Sequence, residues 1–422
     1  MMTRAFVIGG GIAGPVSALA LRRAGIDAVV FEARPAGSAS GAWLTVAVNG
    51  LDALGALDDH AAEGPSVRER VVAAGFPSRV IELRSGTGKR LGTVPIGGEL
   101  ADGTTTVTLT RAALIAALHE AARLRGVRIE HGKRLVSVER AAGGGVTVRF
   151  DDGTTDTADL LIGADGVHSR VRALIDPGAS APRLRGLGNI AGYVEASAAM
   201  SALGEMPERS EDFAMLFGKR AFFGHVKAPD GAVWWFANPP AAREWTRDEI
   251  DAFGTTAGRE RLARLFDDDR APAAALIRAT PRLVGASNTY DLPRVPCWSD
   301  GRMVLVGDAA HAVSPSSGQG ASLAIEDAVE LARCLRDLPS IERAFGVYEA
   351  CRRPRVERVI RDAARTDSTK VPGTIGRAVR DLVLPLALRF MPDASARGWL
   401  FGHHIAWEQR ALPDTPLTLV SP

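Results

Sequence analysis

Short apolar runs alternate with glycine-rich turns at the start of the chain. Residues 5–8 and 28–31 are apolar and β-prone, and each predicts a buried strand. Residues 14–23 between them have the apolar spacing of a helix, which Gly25 ends. A strand, a helix and a strand joined by short turns predict a parallel βαβ unit, the building block of an α/β sheet.

The pattern changes twice in the next part of the chain. Residues 111–118 have the spacing of an amphipathic helix, and Arg111 in its first turn opposes the helix dipole. Either a phosphate partner or an ordinary surface position explains this arginine. Alternating residues at 127–130, 135–139 and 146–150, separated by turns, predict three strands. These strands are expected to form a β-meander that leaves the parallel sheet.

Aromatic residues concentrate between residues 177 and 289. Phe213, Met215 and Phe217 alternate as in a strand, and residues 233–236 predict another strand beyond a turn. A sheet of this kind covers its faces either with helices, as an ordinary core, or with a ligand, as the wall of an apolar pocket. The sequence leaves both interpretations open. The candidate wall residues are Phe213, Met215, Phe217, Phe223 and Trp235.

Composition narrows the class of protein. A chain of 422 residues is too long for one simple core, so two or three structural units are expected. The 51 basic and 49 acidic residues nearly balance, which argues against nucleic acid or an anionic membrane as the main partner. The cysteines Cys297, Cys334 and Cys351 have no metal or redox spacing, and no metal site is predicted. No signal peptide and no apolar run of about 20 residues is evident, so a cytoplasmic protein is expected.

The turn after the first strand has the pattern G-x-G-x-x-G at residues 9–14. In a βαβ unit Gly9 makes the tight turn, Gly11 admits a pyrophosphate to the backbone, and Gly14 packs the helix on the strand. Glu32 lies 21 residues after Gly11, where a carboxylate accepts hydrogen bonds from ribose hydroxyls and repels a 2′-phosphate. The adenosine of FAD or NAD is therefore favoured over that of NADP, although an ordinary strand-to-helix turn could contain the same glycines.

Two further acidic residues follow predicted buried strands. Asp165 comes after residues 159–162, where open α/β sheets bind ligands or where an aspartate caps a helix. Asp308 comes after residues 303–306 and precedes a glycine-rich turn at 318–320 that opens a helix. A long cofactor with two ends, such as FAD, needs a second binding point of this kind.

These segments, in this order, resemble the motifs of the single-component FAD-dependent monooxygenases with the para-hydroxybenzoate hydroxylase fold, the group A flavoprotein hydroxylases. The first motif is the glycine pattern at residues 9–14 together with Glu32. The second, D-x-x-x-G-x-D-G-x-x-S-x-x-R, occupies residues 159–172, and the third occupies residues 307–328. The resemblance extends from about residue 3 to residue 365.

The resemblance implies an α/β fold in which a Rossmann-type FAD-binding domain is interleaved with an α+β substrate domain on a mixed or antiparallel sheet, followed by C-terminal helices. The implied division is 1–75, 101–176 and 290–365 for the FAD-binding domain, 76–100 and 177–289 for the substrate domain, and 366–422 for the C-terminal helical region.

The resemblance also implies roles for individual residues. The implied cofactor-binding residues are Gly9, Gly11, Ile12, Ala13 and Gly14 at the pyrophosphate, Glu32 at the adenosine ribose, Arg34 and Arg111 at the phosphates and ribitol region, Val136 at the adenine, Asp308 at the ribitol, and Gly318, Gln319, Gly320 and Ala321 at the isoalloxazine. Asp165 would support flavin and nicotinamide docking. Pro315, through its carbonyl and fixed φ, is the one catalytic candidate and would shape the reaction face of the flavin.

The implied activity uses NADH or NADPH and O₂ to hydroxylate or epoxidise an apolar, aromatic or polycyclic small molecule through a flavin C4a-hydroperoxide. The enzyme would be a monomer or a homodimer. A non-catalytic flavoprotein of the same fold, which holds a metabolite, would have the same motifs and remains an alternative. A flavin-dependent halogenase would need a lysine early in the chain, whereas the first lysine is Lys89.

Overall fold

The computed structural model of the chain describes residues 3–38, 41–58, 64–141, 143–203, 212–370, 374–389 and 398–411. Parts of the predicted C-terminal region, at 371–373, 390–397 and 412–422, lie outside these ranges.

The strands of the described ranges are β1 (Arg4–Ile8), β2 (Asp27–Glu32), β3 (Trp43–Val46), β4 (Phe76–Pro77), β5 (Val80–Ser85), β6 (Arg90–Pro95), β7 (Val107–Thr110), β8 (Arg128–His131), β9 (Leu135–Arg140), β10 (Val146–Phe150), β11 (Thr155–Ala158), β12 (Leu160–Gly163), β13 (Arg183–Val194), β14 (Phe213–Phe217), β15 (Phe222–Lys227), β16 (Val233–Asn238), β17 (Leu283–Asp291), β18 (Ser299–Asp300) and β19 (Met303–Leu305).

The helices are α1 (Ala13–Arg23), α2 (Val48–Gly55), α3 (Val67–Ala73), α4 (Arg111–Leu124), α5 (Arg170–Ile175), α6 (Ala196–Leu203), α7 (Arg247–Ala252), α8 (Thr256–Ala263), α9 (Ala273–Ala279), α10 (Asp308–His311), α11 (Gly320–Asp337), α12 (Ile341–Lys370), α13 (Thr374–Arg389) and α14 (Gly398–Phe401).

A six-stranded sheet with the order β18-β19-β12-β1-β2-β8 forms the first layer. β1 pairs in parallel with both β2 and β12, and the edge strand β18 is antiparallel. The predicted βαβ unit and the α/β fold are confirmed. Backbone hydrogen bonds continue past the strand ends, from Gly9 N to Phe31 O, Ala164 N to Ile8 O and Val306 N to Gly163 O. The three segments that follow β1, β12 and β19 therefore meet at one edge of the sheet.

The predicted β-meander is partly wrong. β8 pairs in parallel with β2 at the edge of the six-stranded sheet. Only β9, β10 and β11 form the separate antiparallel sheet, in the order β11-β10-β9. Alternation of apolar residues marks a strand but does not specify its partner, which depends on tertiary contacts.

A seven-stranded sheet with the order β17-β13-β16-β15-β14-β5-β6 forms the second layer. Its pairs are antiparallel except for β14 with β5, so the predicted mixed sheet is confirmed. Helices α6, α8 and α9 contribute to the apolar core on one face of this sheet. A small sheet, β3-β7-β4, borders the other face through Trp43 and Phe76.

The C-terminal helices lie on both layers. α12 packs on α11, α13 packs on β6, and α14 packs on α2. Within the described ranges, no helix is both long and apolar enough to cross a bilayer.

Candidate functional site

The glycines after β1 are required by close backbone contacts. Gly9 has φ of +112°, and a Cβ atom there would lie 2.3 Å from the carbonyl oxygen of Ala164. A Cβ on Gly14 would lie 1.8 Å from the carbonyl oxygen of Gly9. Any side chain at either position would push the loop away from β12 or from α1.

The amino terminus of α1 is open to a ligand. Its N-cap residue, Ile12, makes no capping hydrogen bond through its side chain, so the first N–H groups of the helix have no side-chain cap. The nearest atom to a Cβ on Gly11 would be Nη2 of Arg111, at 3.8 Å. Uncapped N–H groups with an arginine beside them form an anion-binding site, as a pyrophosphate requires.

Glu32 is fixed against the glycine loop. Its Oε2 accepts a hydrogen bond of 2.6 Å from Gly10 N, and its Oε1 accepts one of 2.8 Å from Arg34 N. A carboxylate has about four lone-pair directions, so these two bonds orient Glu32 and leave acceptor capacity for ribose hydroxyls.

Arg111 lies between the glycine loop and the segment that leads into β3. It is the first residue of α4, and its N–H donates to Ala42 O at 3.0 Å. A Cβ on Gly41 would lie 2.9 Å from Cδ of Arg111. Arg111 is exposed, and among the described residues its guanidinium has no hydrogen-bond or ion-pair partner. It is therefore available to a phosphate.

The side chain of Asp308 lines the same cleft. Gly307, which precedes it, has φ of +59°, and a Cβ there would lie 3.3 Å from Cβ of Ala13. The Asp308 side chain is exposed to solvent in the cleft, although many protein atoms lie around its carboxyl group. Burial consequently raises the pKa of Asp308, and coulombic interactions with His311 and Arg111 oppose that rise.

The loop before α11 forms the next part of the cleft. Pro315 and Gly318 are exposed, and Pro315 O accepts a hydrogen bond of 3.0 Å from Gly318 N. Gly318 has φ of +62° and faces Thr45 across the cleft. The buried Gln319 accepts a hydrogen bond from Asn49 through its side chain and does not cap the helix. The first turn of α11, with Gly320 and Ala321, thus keeps N–H groups without a side-chain cap.

A buried ion network beneath α11 was missed by the sequence analysis. Arg352 is 1% exposed and pairs with Asp327 at 2.8 Å and with Glu326 at 2.7 Å. Asp327 also accepts hydrogen bonds from Gly307 N at 2.9 Å and from the ring of His311. The turn that precedes Asp308 is therefore held by a carboxylate of the following helix.

The network extends to α2 and the C-terminal segment. Glu326 accepts hydrogen bonds from Asn49 at 2.6 Å and from Arg355 at 2.8 Å. Burial opposes ionisation of Glu326, but the charges of Arg352 and Arg355 outweigh it and lower its pKa to about 2. Two adjacent acids inside the largely apolar run 321–329 were the available signal, because buried carboxylates need paired cations.

Asp165 directs its side chain into its own turn. Its carboxylate accepts hydrogen bonds from the hydroxyl of Ser169, from Arg170 N at 2.7 Å and from Val171 N at 3.1 Å. Asp165 is not the N-cap residue of α5, which is Ser169, but its carboxylate binds N–H groups of the first turn of that helix. Burial raises the pKa of Asp165 despite these bonds. Its backbone lies against Gly9. A role of Asp165 in flavin or nicotinamide docking stays a prediction.

Two further residues predicted to bind the cofactor are Arg34 and Val136. Arg34 follows Glu32, and its exposed side chain makes no hydrogen bond or ion pair among the described residues. Val136 lies in β9, where its carbonyl accepts hydrogen bonds of 3.1 and 3.3 Å from the Arg170 guanidinium. Contacts of Arg34 with a phosphate and of Val136 with adenine stay predictions.

Three of the five predicted pocket residues share one face of the seven-stranded sheet. Phe213, Met215 and Phe217 alternate along β14 and lie on the face that meets Trp43. The ring of Trp43 is 5.3 Å from that of Phe213 and 5.5 Å from that of Phe236. Trp43 belongs to the segment next to Arg111, so this aromatic face borders the cleft.

The prediction is wrong for Phe223 and Trp235. They lie on the opposite face, where their rings stack at 5.6 Å and Phe223 packs on Phe266. Trp235 is fully buried and donates from Nε1 to Thr280 Oγ1 at 2.8 Å. Successive residues of a strand point to opposite faces, and helices cover this one.

Tyr193 was missed. It pairs with Trp234 across β13 and β16, with ring centroids 5.2 Å apart, on the face that borders the cleft. Its hydroxyl is buried and has no hydrogen-bond partner among the described residues, and burial raises its pKa to about 12. An unpaired buried hydroxyl is unfavourable, so this group is suited to bind a polar atom of a ligand.

These features together fit FAD. An uncapped helix terminus and Arg111 suit the pyrophosphate, Glu32 suits a ribose, and Asp308 suits the ribitol hydroxyls. A second uncapped helix terminus, at Gly320, lies farther along the same cleft.

Comparison with known proteins agrees with this geometry. Residues 2–363 match the family described as FAD binding domain. The chain is 32% identical to the aurachin C monooxygenase/isomerase of Stigmatella aurantiaca over 354 residues, which cover 82% of this chain and 84% of that protein. It is 30% identical to the 3-amino-4-hydroxybenzoate 2-monooxygenase of Streptomyces cremeus, over 94% of this chain and 95% of that protein.

A solved structure shows the same arrangement of elements. The crystal structure of Klebsiella pneumoniae HpxO complexed with FAD and uric acid superposes with a TM-score of 0.75. The two chains are 27% identical, over 91% of this chain and 93% of the other.

Proposed function

Because the chain belongs to the FAD-binding-domain family of FAD-dependent monooxygenases, we propose that it oxygenates a largely apolar aromatic or heteroaromatic small molecule. Its reducing co-substrate is NADH or NADPH, and its oxidant is O₂. The observation that supports the substrate class most directly is the aromatic face of Phe213, Met215 and Phe217, which borders the cofactor cleft at Trp43.

The residues of the cleft would hold FAD along its length. Gly9, Gly11 and Gly14 with the α1 terminus and Arg111 would hold the pyrophosphate, Glu32 the adenosine ribose, and Asp308 the ribitol. When bound, FAD supplies the redox chemistry that accepts hydride from the nicotinamide and activates oxygen.

The protein contributes positioning and electrostatics. The N–H groups at the start of α11 point along the helix axis with roughly half a positive charge. Dipoles that are fixed in advance stabilise negative charge as it develops on a ring system placed there. Pro315 fixes the loop before α11 through its bond with Gly318 N, which is the role proposed for it at the reaction face.

The aromatic face would bind and orient the substrate ring and exclude water from it. The Tyr193 hydroxyl is proposed to donate a hydrogen bond to a polar atom of the substrate, such as a ring carbonyl or phenol oxygen. Relatives that act on aurachin C or on 3-amino-4-hydroxybenzoate by name support a ring substrate with such an atom. The side chains named above are uncharged, and the guanidinium of Arg380 lies 4.5 Å from the ring centroid of Phe217 at the margin of the face. The face therefore suits a largely apolar ring.

The test is turnover by the purified flavoprotein. Oxidation of NADH and NADPH is followed with a panel of quinolones, hydroxybenzoates and hydroxypyridines, and ¹⁸O incorporation from ¹⁸O₂ is measured in the product. We expect at least one ring compound to accelerate nicotinamide oxidation and to gain one labelled oxygen. A bound flavin that neither nicotinamide reduces with any compound would support the metabolite-binding alternative instead.

Two further proposals are the cellular compartment of the enzyme and its oligomeric state. All three cysteines are free, which suits a reducing compartment, and we place the enzyme in the cytoplasm. We propose that it acts as a monomer or a homodimer.

A further inference from the structure

Helix α13 presents an apolar stripe to solvent. Among the described residues, six large hydrophobic side chains are exposed, and four of them lie on this helix. They are Val379 (54% exposed), Leu382 (67%), Val383 (51%) and Leu386 (55%). The spacing i, i+3, i+4, i+7 places them on one side of the helix.

The other side of α13 faces the protein and carries charge. Arg380 is only 9% exposed, and its guanidinium lies 4.5 Å from the ring centroid of Phe217. Leu384 packs against the cluster that contains Phe217 and Phe222. Leu388 also faces the protein, beside Gly92 of β6. A surface helix ordinarily buries its apolar residues on one side, so the second, exposed stripe of α13 is unusual.

A cavity of about 230 Å³ opens between α13 and the β5–β6 hairpin. Lys219, Arg377 and Arg380 contribute cations to its lining, and Asp381 contributes the one acid. Ala378, also in the lining, is an exposed neighbour of Val379. Arg380 pairs with Asp381 at 2.8 Å, and Arg377 donates to Lys219 O at 2.7 Å, so these groups attach α13 to the protein. Asp269, which accepts from Lys219 N at 3.0 Å, adds a second acid beside the cavity.

Further basic residues surround the stripe. Lys89 is exposed and donates to the carbonyl of Asp381 at 3.1 Å. Arg90 follows it on β6 and pairs with Glu82 at 3.0 Å. Arg389 is exposed at the end of the helix. An apolar strip bordered by cations is the pattern of a helix that lies in the interface of an anionic membrane.

We propose that α13 docks this protein on the surface of an anionic phospholipid bilayer. The stripe of Val379, Leu382, Val383 and Leu386 enters the boundary between headgroups and acyl chains, and the exposed cations Lys89 and Arg389 attract the anionic headgroups. The attachment is peripheral. The near balance of charge over the whole chain does not reveal these local cations.

A second copy of the chain fits the surface less well. In a two-fold interface the same patch meets itself, so the exposed cations Lys89 and Arg389 of one copy would approach those of the other. Like charges brought together in this way disfavour association. Four partly exposed side chains also present less area than the roughly 800 Å² per partner of a standard interface.

Docking would place the substrate layer near the bilayer. Leu384 joins α13 to the cluster around Phe217, at the margin of the aromatic face. An apolar ring compound dissolved in the membrane would then have a short path to the cleft. This consequence rests on the proposed function, whereas the docking itself does not.

The experiment is vesicle flotation of the FAD-loaded enzyme. Vesicles of pure phosphatidylcholine are compared with vesicles that contain phosphatidylglycerol, at low and high salt. We expect flotation with the anionic vesicles, at least a tenfold loss of binding without phosphatidylglycerol, and a marked loss at high salt, because screening weakens surface electrostatics.

Variants separate the stripe from general surface hydrophobicity. The double variant Leu382→Ser/Leu386→Ser should lose vesicle binding about tenfold or more. The matched double variant Leu124→Ser/Met200→Ser removes the two exposed hydrophobic residues that lie elsewhere and should bind like the parent protein. Lys89→Gln should weaken binding to anionic vesicles several-fold. All of these variants should keep their flavin and their NAD(P)H oxidation without vesicles.

Other outcomes would overturn the proposal. Equal flotation of the two double variants would show that α13 is not the docking element. No flotation of the parent protein, together with a dimer in sedimentation velocity that Leu382→Ser/Leu386→Ser abolishes, would assign the stripe to a second copy. Failure of every ring compound in the turnover assay would leave the flotation result unaffected, so the two proposals fail separately.

Discussion

A Cβ atom on Gly14 would lie 1.8 Å from the carbonyl oxygen of Gly9. This contact closes the glycine loop onto the first turn of α1, and the loop and helix terminus form the cleft together. The contact therefore couples helix packing to cofactor binding.

Gly14→Ala should break this coupling. The added methyl group must displace α1 or the loop, which costs about 1–3 kcal/mol of folding stability and removes bound flavin. The ratio of absorbance at 450 nm to that at 280 nm measures the flavin, and urea unfolding measures the stability. Gly143→Ala is the control, because a Cβ there has no neighbour within 4 Å. Full flavin content in the Gly14 variant would contradict the role of this contact.

Asp308→Ala should weaken FAD binding about 10- to 100-fold, since a hydrogen bond to a charged group contributes about 1.5–3 kcal/mol. Flavin release is followed by fluorescence on dilution. The affinity of Asp308→Asn for FAD should lie between those of Asp308→Ala and the parent protein, because the amide oxygen is still a hydrogen-bond acceptor. Asp248→Ala, at an exposed position in α7, is the matched control. If the Asp308→Ala protein stays fully yellow and binds FAD as tightly as before, the ribitol assignment is wrong.

Neighbouring residues of β14 should have separable effects. Met215 lies on the face that borders the cleft, and Leu216 lies on the helix-covered face, 5% exposed. Met215→Leu and Leu216→Met conserve volume, so each should change stability by less than about 1.5 kcal/mol. Only Met215→Leu should alter the relative kcat/KM values of a panel of ring substrates. The reverse pattern would place the substrate elsewhere.

Tyr193→Phe should raise the KM for a substrate about tenfold and leave the fold at least as stable, because it removes a buried hydroxyl that has no partner among the described residues. Steady-state kinetics and thermal unfolding give the two readings. Tyr290→Phe is the control, since that hydroxyl bonds to Glu244 on the surface. A loss of stability with unchanged KM in the Tyr193 variant would assign the hydroxyl a structural role.

The protein should lose stability as the pH falls from 6.5 to 4. Burial lowers the pKa of His403 to about 4 from 6.5, so between these values the unfolded chain binds a proton that the folded chain does not. The free energy of unfolding should therefore decrease by about 1–2 kcal/mol over this window, less than the full linkage value because a third of the side chain is exposed.

Urea unfolding of the apoprotein at pH 7 and pH 4.5 measures this dependence. Glutamine at position 403 cannot be protonated, so His403→Gln should reduce the dependence of the free energy of unfolding on pH. His168→Gln, at an exposed position, should leave this dependence unchanged. An unchanged pH dependence in His403→Gln would exclude this histidine as the cause. The Glu326 contribution lies at lower pH, because its stabilising charge is present above about 4.5 and lost toward 2.

The sequence by itself determined the local features. The spacing of glycines at 9–14, the position of Glu32 at the end of β2 and the apolar runs before Asp165 and Asp308 depend on a few adjacent residues. The sterics of each turn and the parallel order of the strands then specify the backbone. The α/β fold, the confirmed βαβ unit and the mixed sheet follow from such short-range patterns.

Only the tertiary structure decided which face each residue takes and which partner it meets. Alternation placed Phe213 and Trp235 in strands, but the helices over one face of the sheet decided that Trp235 is core. The carboxylate of Asp165 accepts a hydrogen bond from Val171 N of the helix that follows it. Arg352 of α12 forms an ion pair with Asp327 of α11. Likewise, only the packing of α13 on the sheet shows that its apolar stripe is exposed to solvent. These arrangements depend on contacts between residues far apart in the chain. Burial and charge pairing determine the free energy of such contacts, and a local sequence pattern does not predict it.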